Sequence, residues 1–424
     1  MSELSAKPMG RERVLVTLPP DGIHPSLTHE PTRSLLTGGG VPDGHRLMRF
    51  GPLAETGGLP LRELLAGEFD PSAFDPAVLD PYVAELLVIG HLSVVEEGEE
   101  EEEVVMDGAT GRVFVLYVDE ESPEFTEVFP LAPSLAALVR LLDAVDELTE
   151  VRGRFAGLAA RPGPRAVEEA SDLFFALVED EEWEGEWGSA GSPEEWDDDI
   201  PAFWRIPALI QPLSLIAGPG SGLLLDLPAA VLEEEFGESN IVRADPETLP
   251  PELEHEPTRH FLTRVGLPAK AVMFELRDPE RLLLTLAEQS AHHRDDERMS
   301  QLHAVIGELP VDPGRLLCLG ELIHDLVVLI DGRTGRIHSW RYGDDTLGLI
   351  NADVSTLAFT LWLHRRELTI DEEERFAEEW YGPLAVAMVR TLASVDPVAC
   401  RTLDDPEEWP YWKEAFHDEP GGVL

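Results

Sequence analysis

Residues 29–42 read HEPTRSLLTGGGVP and residues 255–268 read HEPTRHFLTRVGLP, nine identities in fourteen positions at a constant offset of 226. Working outward, VLVTLP at 14–19 lies over IVRADP at 241–246 with a shift of one. Downstream, LLVIGH at 86–91 lies over LLCLGE at 316–321, DGATGR at 107–112 over DGRTGR at 331–336, and SPEEW at 192–196 over DPEEW at 405–409. Five blocks recur in one order. Two copies with a period slightly above 200 residues are too few and too long for a solenoid of short units, and predict two tandem globular domains. The composition changes between the acidic stretch ending near Asp199 and the Pro/Gly segment 212–222, which places the domains at 1–212 and 213–424.

Each copy predicts the same element order. A short strand (Val14–Leu18; Ile241–Ala244) precedes a helix opened by Pro31 or Pro257, since proline suits the first helical turn, where its missing N–H costs nothing. Gly40 and Gly266, each followed within two residues by proline, end that helix. Strand material follows at Leu47–Phe50 and Val272–Leu276. Asp-Gly-x-Thr-Gly turns between β-rich flanks then predict hairpins. Apolar spacing at i, i+3 and i+4 predicts helices over Ser134–Leu148 and Ser355–Leu368, with further helices over Arg165–Glu179 and Ile370–Leu392. The class is α+β with a mostly antiparallel sheet flanked by helices. The uncharged stretch Ile206–Leu225 is broken by three prolines and three glycines and reads as a linker, not a membrane span.

The chain of 424 residues carries 83 acidic against 32 basic residues, a formal charge of −51. That balance argues against nucleic acid as a partner, because neutralising phosphates needs a basic face. Hydrophobic residues at 43% nevertheless supply packed cores, so this is a folded acidic protein and not an acidic tail. Two cysteines, Cys318 and Cys400, far apart, exclude a disulfide scaffold and a zinc ribbon. The first 25 residues hold no apolar run of signal-peptide length, which gives a cytoplasmic expectation.

The strand, the acidic-Pro segment, the Glu-Pro-Thr-Arg helix, the Gly-Leu-Pro exit and the Asp-Gly-x-Thr-Gly-Arg hairpin together resemble the SUKH superfamily, most closely the group-four SUKH immunity proteins of bacterial polymorphic toxin systems. The second copy carries the resemblance better. In the first, Gly38-Gly39-Gly40-Val41-Pro42 replaces Gly266-Leu267-Pro268, and the helix at Pro228–Phe236 has no counterpart ahead of Val14. The resemblance implies two tandem SUKH-like domains that bind a cognate toxin without turnover, with neither cofactor nor metal. Toxins paired with such proteins include nucleases and deaminases, whose basic clefts an acidic inhibitor can fill. It implies a toxin with a basic surface as partner, and neither nucleic acid nor membrane. A SUKH-fold scaffold binding cellular partners, or acidity adapted to high salt, are the alternatives.

The run Glu96–Glu103 holds Glu96, Glu97, Glu99, Glu100, Glu101, Glu102 and Glu103, where the first copy is six residues longer than the second. It reads either as a solvated loop or as a docking element for a basic partner. In the acidic segment 179–199, Trp183 and Trp187 lack counterparts and are candidate interface anchors, because tryptophan is enriched at binding hot spots. Trp196 and Trp409 occupy matching positions and read as structural. His29 with Arg33, and His255 with Arg259, stand at a helix start without a recurring nucleophile, and read as local packing and charge pairing with Glu30 or Glu256. His292-His293 reads as an exposed helix end or loop, and Gly218–Gly222 lacks the Lys-Ser/Thr of a phosphate loop.

Overall fold

The computed structural model describes residues 14–68, 79–93, 102–117, 126–181, 200–277, 283–292, 304–323, 326–378, 380–401 and 411–417. They gather into two compact units. One contains the residues up to Asp146 together with Phe174–Trp204, the other Glu147–Leu173 together with Arg205–Leu424.

The first unit is built on a six-stranded sheet whose main path has five strands and the second on a five-stranded sheet, both antiparallel throughout and, along those paths, ordered as in the chain. The first unit's strands are β1 (Met48–Arg49), β2 (Leu87–Leu92), β3 (Glu103–Met106), β4 (Val113–Tyr117) and β5 (Glu127–Ala132). In the second unit they are β6 (Phe274–Leu276), β7 (Leu316–Leu322), β8 (Leu326–Asp331), β9 (Ile337–Arg341) and β10 (Gly348–Asn351). Leu59–Pro60 pairs additionally with β2. The central strands read Leu-Val-Ile and Leu-Val-Val-Leu-Ile without polar alternation, and β8 is buried at every position, as strands covered on both faces must be. On one face of the first sheet Val88, Val105, Phe114 and Leu116 pack with Leu61, Leu65 and Val83. The corresponding face of the second packs Cys318, Val327, Leu329 and Trp340 with Leu286 and Leu309.

The recurring sequence blocks interlock. The Glu-Pro-Thr-Arg helices are Glu30–Gly38 and Glu256–Arg264. His29 N–H donates to the Gly108 carbonyl at 2.9 Å and His255 N–H to the Gly332 carbonyl at 2.8 Å, so each helix start is tied to the Asp-Gly-x-Thr-Gly turn of its own copy. The imidazole then lies against the turn's last glycine. A Cβ on Gly111 would stand 2.2 Å from His29 Nδ1, and one on Gly335 2.3 Å from His255 Nδ1. Both glycines also have positive φ, 78° and 75°, a region an L side chain rarely enters. The turns are closed by Asp107 and Asp331, whose carboxylates accept backbone N–H groups of Ala109 and Arg333 at 2.7 and 3.0 Å.

Helices Leu135–Thr149 and Val354–Glu374 follow the sheets. The latter opens one residue before Ser355 because Asp353 caps it, accepting from Ser355 N–H and Thr356 N–H in a capping box. Its end corrects the expected helix over Ile370–Leu392. The chain leaves the helix after Glu374 through Arg375 at φ 57°, and a separate helix runs over Tyr381–Val395. Glu372, Glu373 and Glu374 put three like charges on the negative end of the helix dipole, while the Asp371 carboxylate accepts from Ala377 N–H at 2.7 Å and stabilises the break.

The expected linker at Ile206–Leu225 is packed structure instead. Ala202–Ile210 is helical despite Pro207, Gln211–Ile216 is a 3-10 turn with Leu213, Leu215 and Ile216 buried, and Gly218–Pro219 pairs with Leu225–Asp226 in a tight hairpin. That hairpin is held by the cap of the long helix: Leu224 N–H donates to Asp353 Oδ2 at 2.7 Å and Leu225 N–H to Ser355 Oγ at 3.1 Å. Prolines and glycines read as a linker, but an uncharged segment this rich in Leu and Ile is more stable out of water, at about 1.5–3 kcal/mol per buried aliphatic side chain.

Candidate partner-binding surface

In the first unit four strand termini meet at one end of the sheet, the end opposite the Asp107–Arg112 turn. His91 near the end of β2 faces Glu103 at the start of β3, Glu103 faces Leu116, and Tyr117 at the end of β4 faces Glu127 at the start of β5. The chain connecting these termini, residues 94–101 and 118–125, contains Glu96, Glu97, Glu99, Glu100 and Glu101 in the first stretch and Asp119, Glu120, Glu121 and Glu124 in the second. Tyr117 is 53% exposed beside Glu127. Gly90 faces Val104 where Gly320 faces Val328, so the pair is fourteen positions apart in the first copy against eight in the second, and the six-residue insertion lies in this connection. The second sheet closes its equivalent end differently: Trp340 Nε1 donates to the Asp344 carbonyl at 2.8 Å, among Arg341 and Tyr342.

Of the candidate residues, Glu102 and Glu103 are described. Glu96, Glu97, Glu99, Glu100, Glu101, Trp183 and Trp187 lie outside the described residues, as do Trp196, Trp409 and His293. Glu102 and Glu103 are corrected from a solvated run to ladder residues. The Glu102 carbonyl accepts from Leu92 N–H at 2.9 Å, and burial pushes its carboxyl above the usual range. Glu103 Oε2 stands 3.3 Å from His91 Nδ1. A polyglutamate run conceals the residue at which a strand resumes, because only the cross-strand register reveals it.

The recurring histidines are structural, with a partner different from the one expected. His29 Nδ1 pairs with Thr32 Oγ1 and His255 Nδ1 with Thr258 Oγ1, each at 2.8 Å, in place of the neighbouring glutamate. Arg33 donates to the Leu27 carbonyl at 2.9 Å, and Arg259 to the carbonyls of Pro250 and Leu253 at 3.0 Å. Glu256 lies 4.0 Å from Arg259 and is 86% exposed, too far into solvent to matter much. His292 Nδ1 donates to the Glu288 carbonyl at 2.7 Å, as at a helix end.

A His–Asp pair that the sequence does not announce stands in the first unit. His45 Nε2 lies 3.2 Å from Asp146 Oδ1, while His45 Nδ1 accepts from Leu47 N–H at 3.1 Å. Nδ1 already accepts a hydrogen bond and Nε2 faces a carboxylate, so neither is placed to take a proton from a nucleophile. Two aromatic dipeptides were also missed. Phe203–Trp204 and Tyr411–Trp412 each stack edge to face at 4.9 Å, with the tryptophan fully buried. Trp204 Nε1 donates to the Leu131 carbonyl of β5 at 2.6 Å, and Trp412 Nε1 to Asn351 Oδ1 of β10 at 2.9 Å. Each indole thus closes the last strand of a sheet. Different spacing from the Pro-Glu-Glu-Trp blocks hid the equivalence.

Asn351 belongs to a buried polar network. Its amide donates to Thr360 Oγ1 and Asp396 Oδ2 at 3.1 and 3.2 Å, and Asp396 accepts also from Ala352 N–H and Val398 N–H. Cys318, unpaired and buried, has its thiol pushed up to about 12 by desolvation. Among the described residues no helix is long and apolar enough to cross a membrane.

No curated protein and no solved structure matches the chain. The model of the SUKH-4 immunity protein family matches residues 4–181 and again residues 227–418. The two matches fall in tandem on the two repeats, each with its antiparallel sheet, and the chain belongs to the SUKH-4 immunity protein family as two successive copies of its domain.

Proposed function

We propose that this chain is a non-enzymatic immunity protein that binds a cognate polymorphic toxin in the cytoplasm of the producing cell and neutralises it. The toxin is a nuclease or deaminase acting on nucleic acid, and the immunity protein occludes its basic active site. The observation that carries the reading is the pair of SUKH-4 immunity matches on a chain of net charge −51. A cleft that binds nucleic-acid phosphates is cationic, and an acidic surface both competes for it and accelerates encounter. The acidic sheet end of the first unit, with Glu96–Glu103 in its inserted connection and Trp183 and Trp187 as anchors, is the docking element in this reading. The copies divide at 212/213, within the interval 182–226 that separates the two family matches.

The test is calorimetric titration of the full-length chain with the toxin domain encoded beside its gene, followed by assay of that toxin on its nucleic-acid substrate. Nanomolar binding, weakening as salt rises from 50 to 500 mM, and loss of toxin activity at equimolar ratio are expected. No binding at any salt would sink the proposal and favour a scaffold with cellular partners.

A further inference from the structure

The two units carry the same corner in different states. In the first, the turn into β1 has Met48 N–H donating to the His45 carbonyl at 3.2 Å, and the Leu47 carbonyl accepts from Ser93 N–H at 2.9 Å. The second reproduces both bonds, Phe274 N–H to the Ala271 carbonyl at 3.4 Å and Ile323 N–H to the Met273 carbonyl at 3.2 Å. The side chains differ. His45 is 7% exposed and reaches Asp146, whereas Ala271, at the equivalent position, offers only a methyl group. The second corner is left as an open groove of about 600 Å³, with Val272, Met273 and Ile323 along it and charged residues at its rim. Val272 is 53% exposed there.

The rim charges are unequal. Arg277 is committed: its guanidinium lies 3.3 Å from Glu321 Oε1 and 6.0 Å from the centre of the Tyr342 ring, and the Tyr342 hydroxyl bonds to the same glutamate oxygen at 3.3 Å. Lys270 Nζ stands 3.7 Å from Glu275 Oε2, and these side chains are 74% and 67% exposed. So exposed a pair contributes little, and Glu275 can exchange Lys270 for an arginine of a partner, which would bind its carboxylate with two parallel hydrogen bonds.

We infer that this groove is a second toxin-contact surface, taking an apolar side chain of the toxin on Val272, Met273 and Ile323 while an adjacent basic residue pairs with Glu275. Val272, Met273 and Ile323 line the groove beside the weakly paired Glu275, which suits an apolar side chain flanked by a cation, and the charge of −51 selects a basic partner over an acidic one. The inference rests on the toxin-neutralising reading above and adds a surface in the unit that lacks the acidic insertion.

The experiment uses full-length wild type, Val272→Asp and Glu275→Lys, each titrated with the toxin domain encoded beside the gene, with circular dichroism and sedimentation on the same samples. Val272 and Glu275 are exposed, so both variants are expected to keep the wild-type spectrum. Val272→Asp is expected to weaken binding at least tenfold. Glu275→Lys is expected to weaken it several-fold, mainly through slower association, with the loss shrinking at high salt. Wild-type binding that both variants retain within twofold would overturn the groove and leave the toxin reading standing, whereas no binding by wild type overturns both. A self-associating wild type that Val272→Asp converts to a smaller species, with toxin affinity unchanged, would assign the groove to a second copy of the chain and overturn the inference.

Discussion

Glu367 lies on the buried side of helix Val354–Glu374, 4% exposed, and burial, aided by the Asp371 charge one turn on, lifts its carboxyl from the ordinary 4.5 to about 8. The folded protein holds this side chain neutral at pH 7, whereas the unfolded chain releases the proton near 4.5. Between those values the folded state binds more protons than the unfolded state, so this group lowers stability as pH rises through the interval, by about 1.4 kcal/mol per unit. At pH 7 the penalty is on the order of 3 kcal/mol, and it approaches its full size only near pH 8. Glu367→Gln keeps the shape and cannot ionise. Its buried amide adds a cost that does not vary with pH, so the difference between variant and wild type isolates the proton. The assay is urea unfolding at pH 5, 6, 7 and 8 followed by tryptophan fluorescence, with Trp362 on the same helix as a buried reporter. The variant is expected to gain on wild type by about 3 kcal/mol between pH 5 and pH 8. A difference that stays constant across those pH values would refute the account, because a carboxyl that ionises alike in both states leaves no slope.

Three further outcomes are expected. His364, 8% exposed and stacked on Phe416, has its pKa lowered to about 4 by burial, so stability rises with pH between about 4 and 6.5 as the unfolded imidazole loses its proton; His364→Leu should stabilise the protein at pH 5 relative to pH 7, the opposite sense to Glu367→Gln, in the same urea titrations. Gly335→Ala should cost about 2–4 kcal/mol, combining a left-handed backbone with the clash on His255, and should lower the midpoint of urea unfolding without changing its slope. Asp396→Ala removes one acceptor of the Asn351 amide and the acceptor of two backbone N–H groups and should cost about 2–4 kcal/mol, read as a fall in melting temperature.

Short-range chemistry was enough to read the duplicated α+β architecture. Proline at a helix start, glycine at its exit and the Asp-Gly-x-Thr-Gly turn each act within a few residues, and each recurs at matching places. The structure adds why they recur together: the histidine of one block packs on the glycine of another some eighty residues away, so the blocks are two halves of one contact. The break after Glu374, the packed segment 206–225, and the ladder positions of Glu102 and Glu103 were misread. In each case a local signal was outweighed by a hydrogen bond that residue patterning does not announce: Asp371 accepting from Ala377, Asp353 from Leu224, and Glu102 from Leu92.

The candidate surfaces divide the same way. Composition and repeat comparison were sufficient to find the acidic insertion and to assign it to one copy, because charge and length are countable along the chain. That four strand termini share one sheet end, that His45 is committed to Asp146, and that Ala271 leaves the matching corner of the second copy open were decided only by the tertiary structure. Strand register and side-chain direction bring together residues tens of positions apart, and no periodicity in the sequence encodes that proximity.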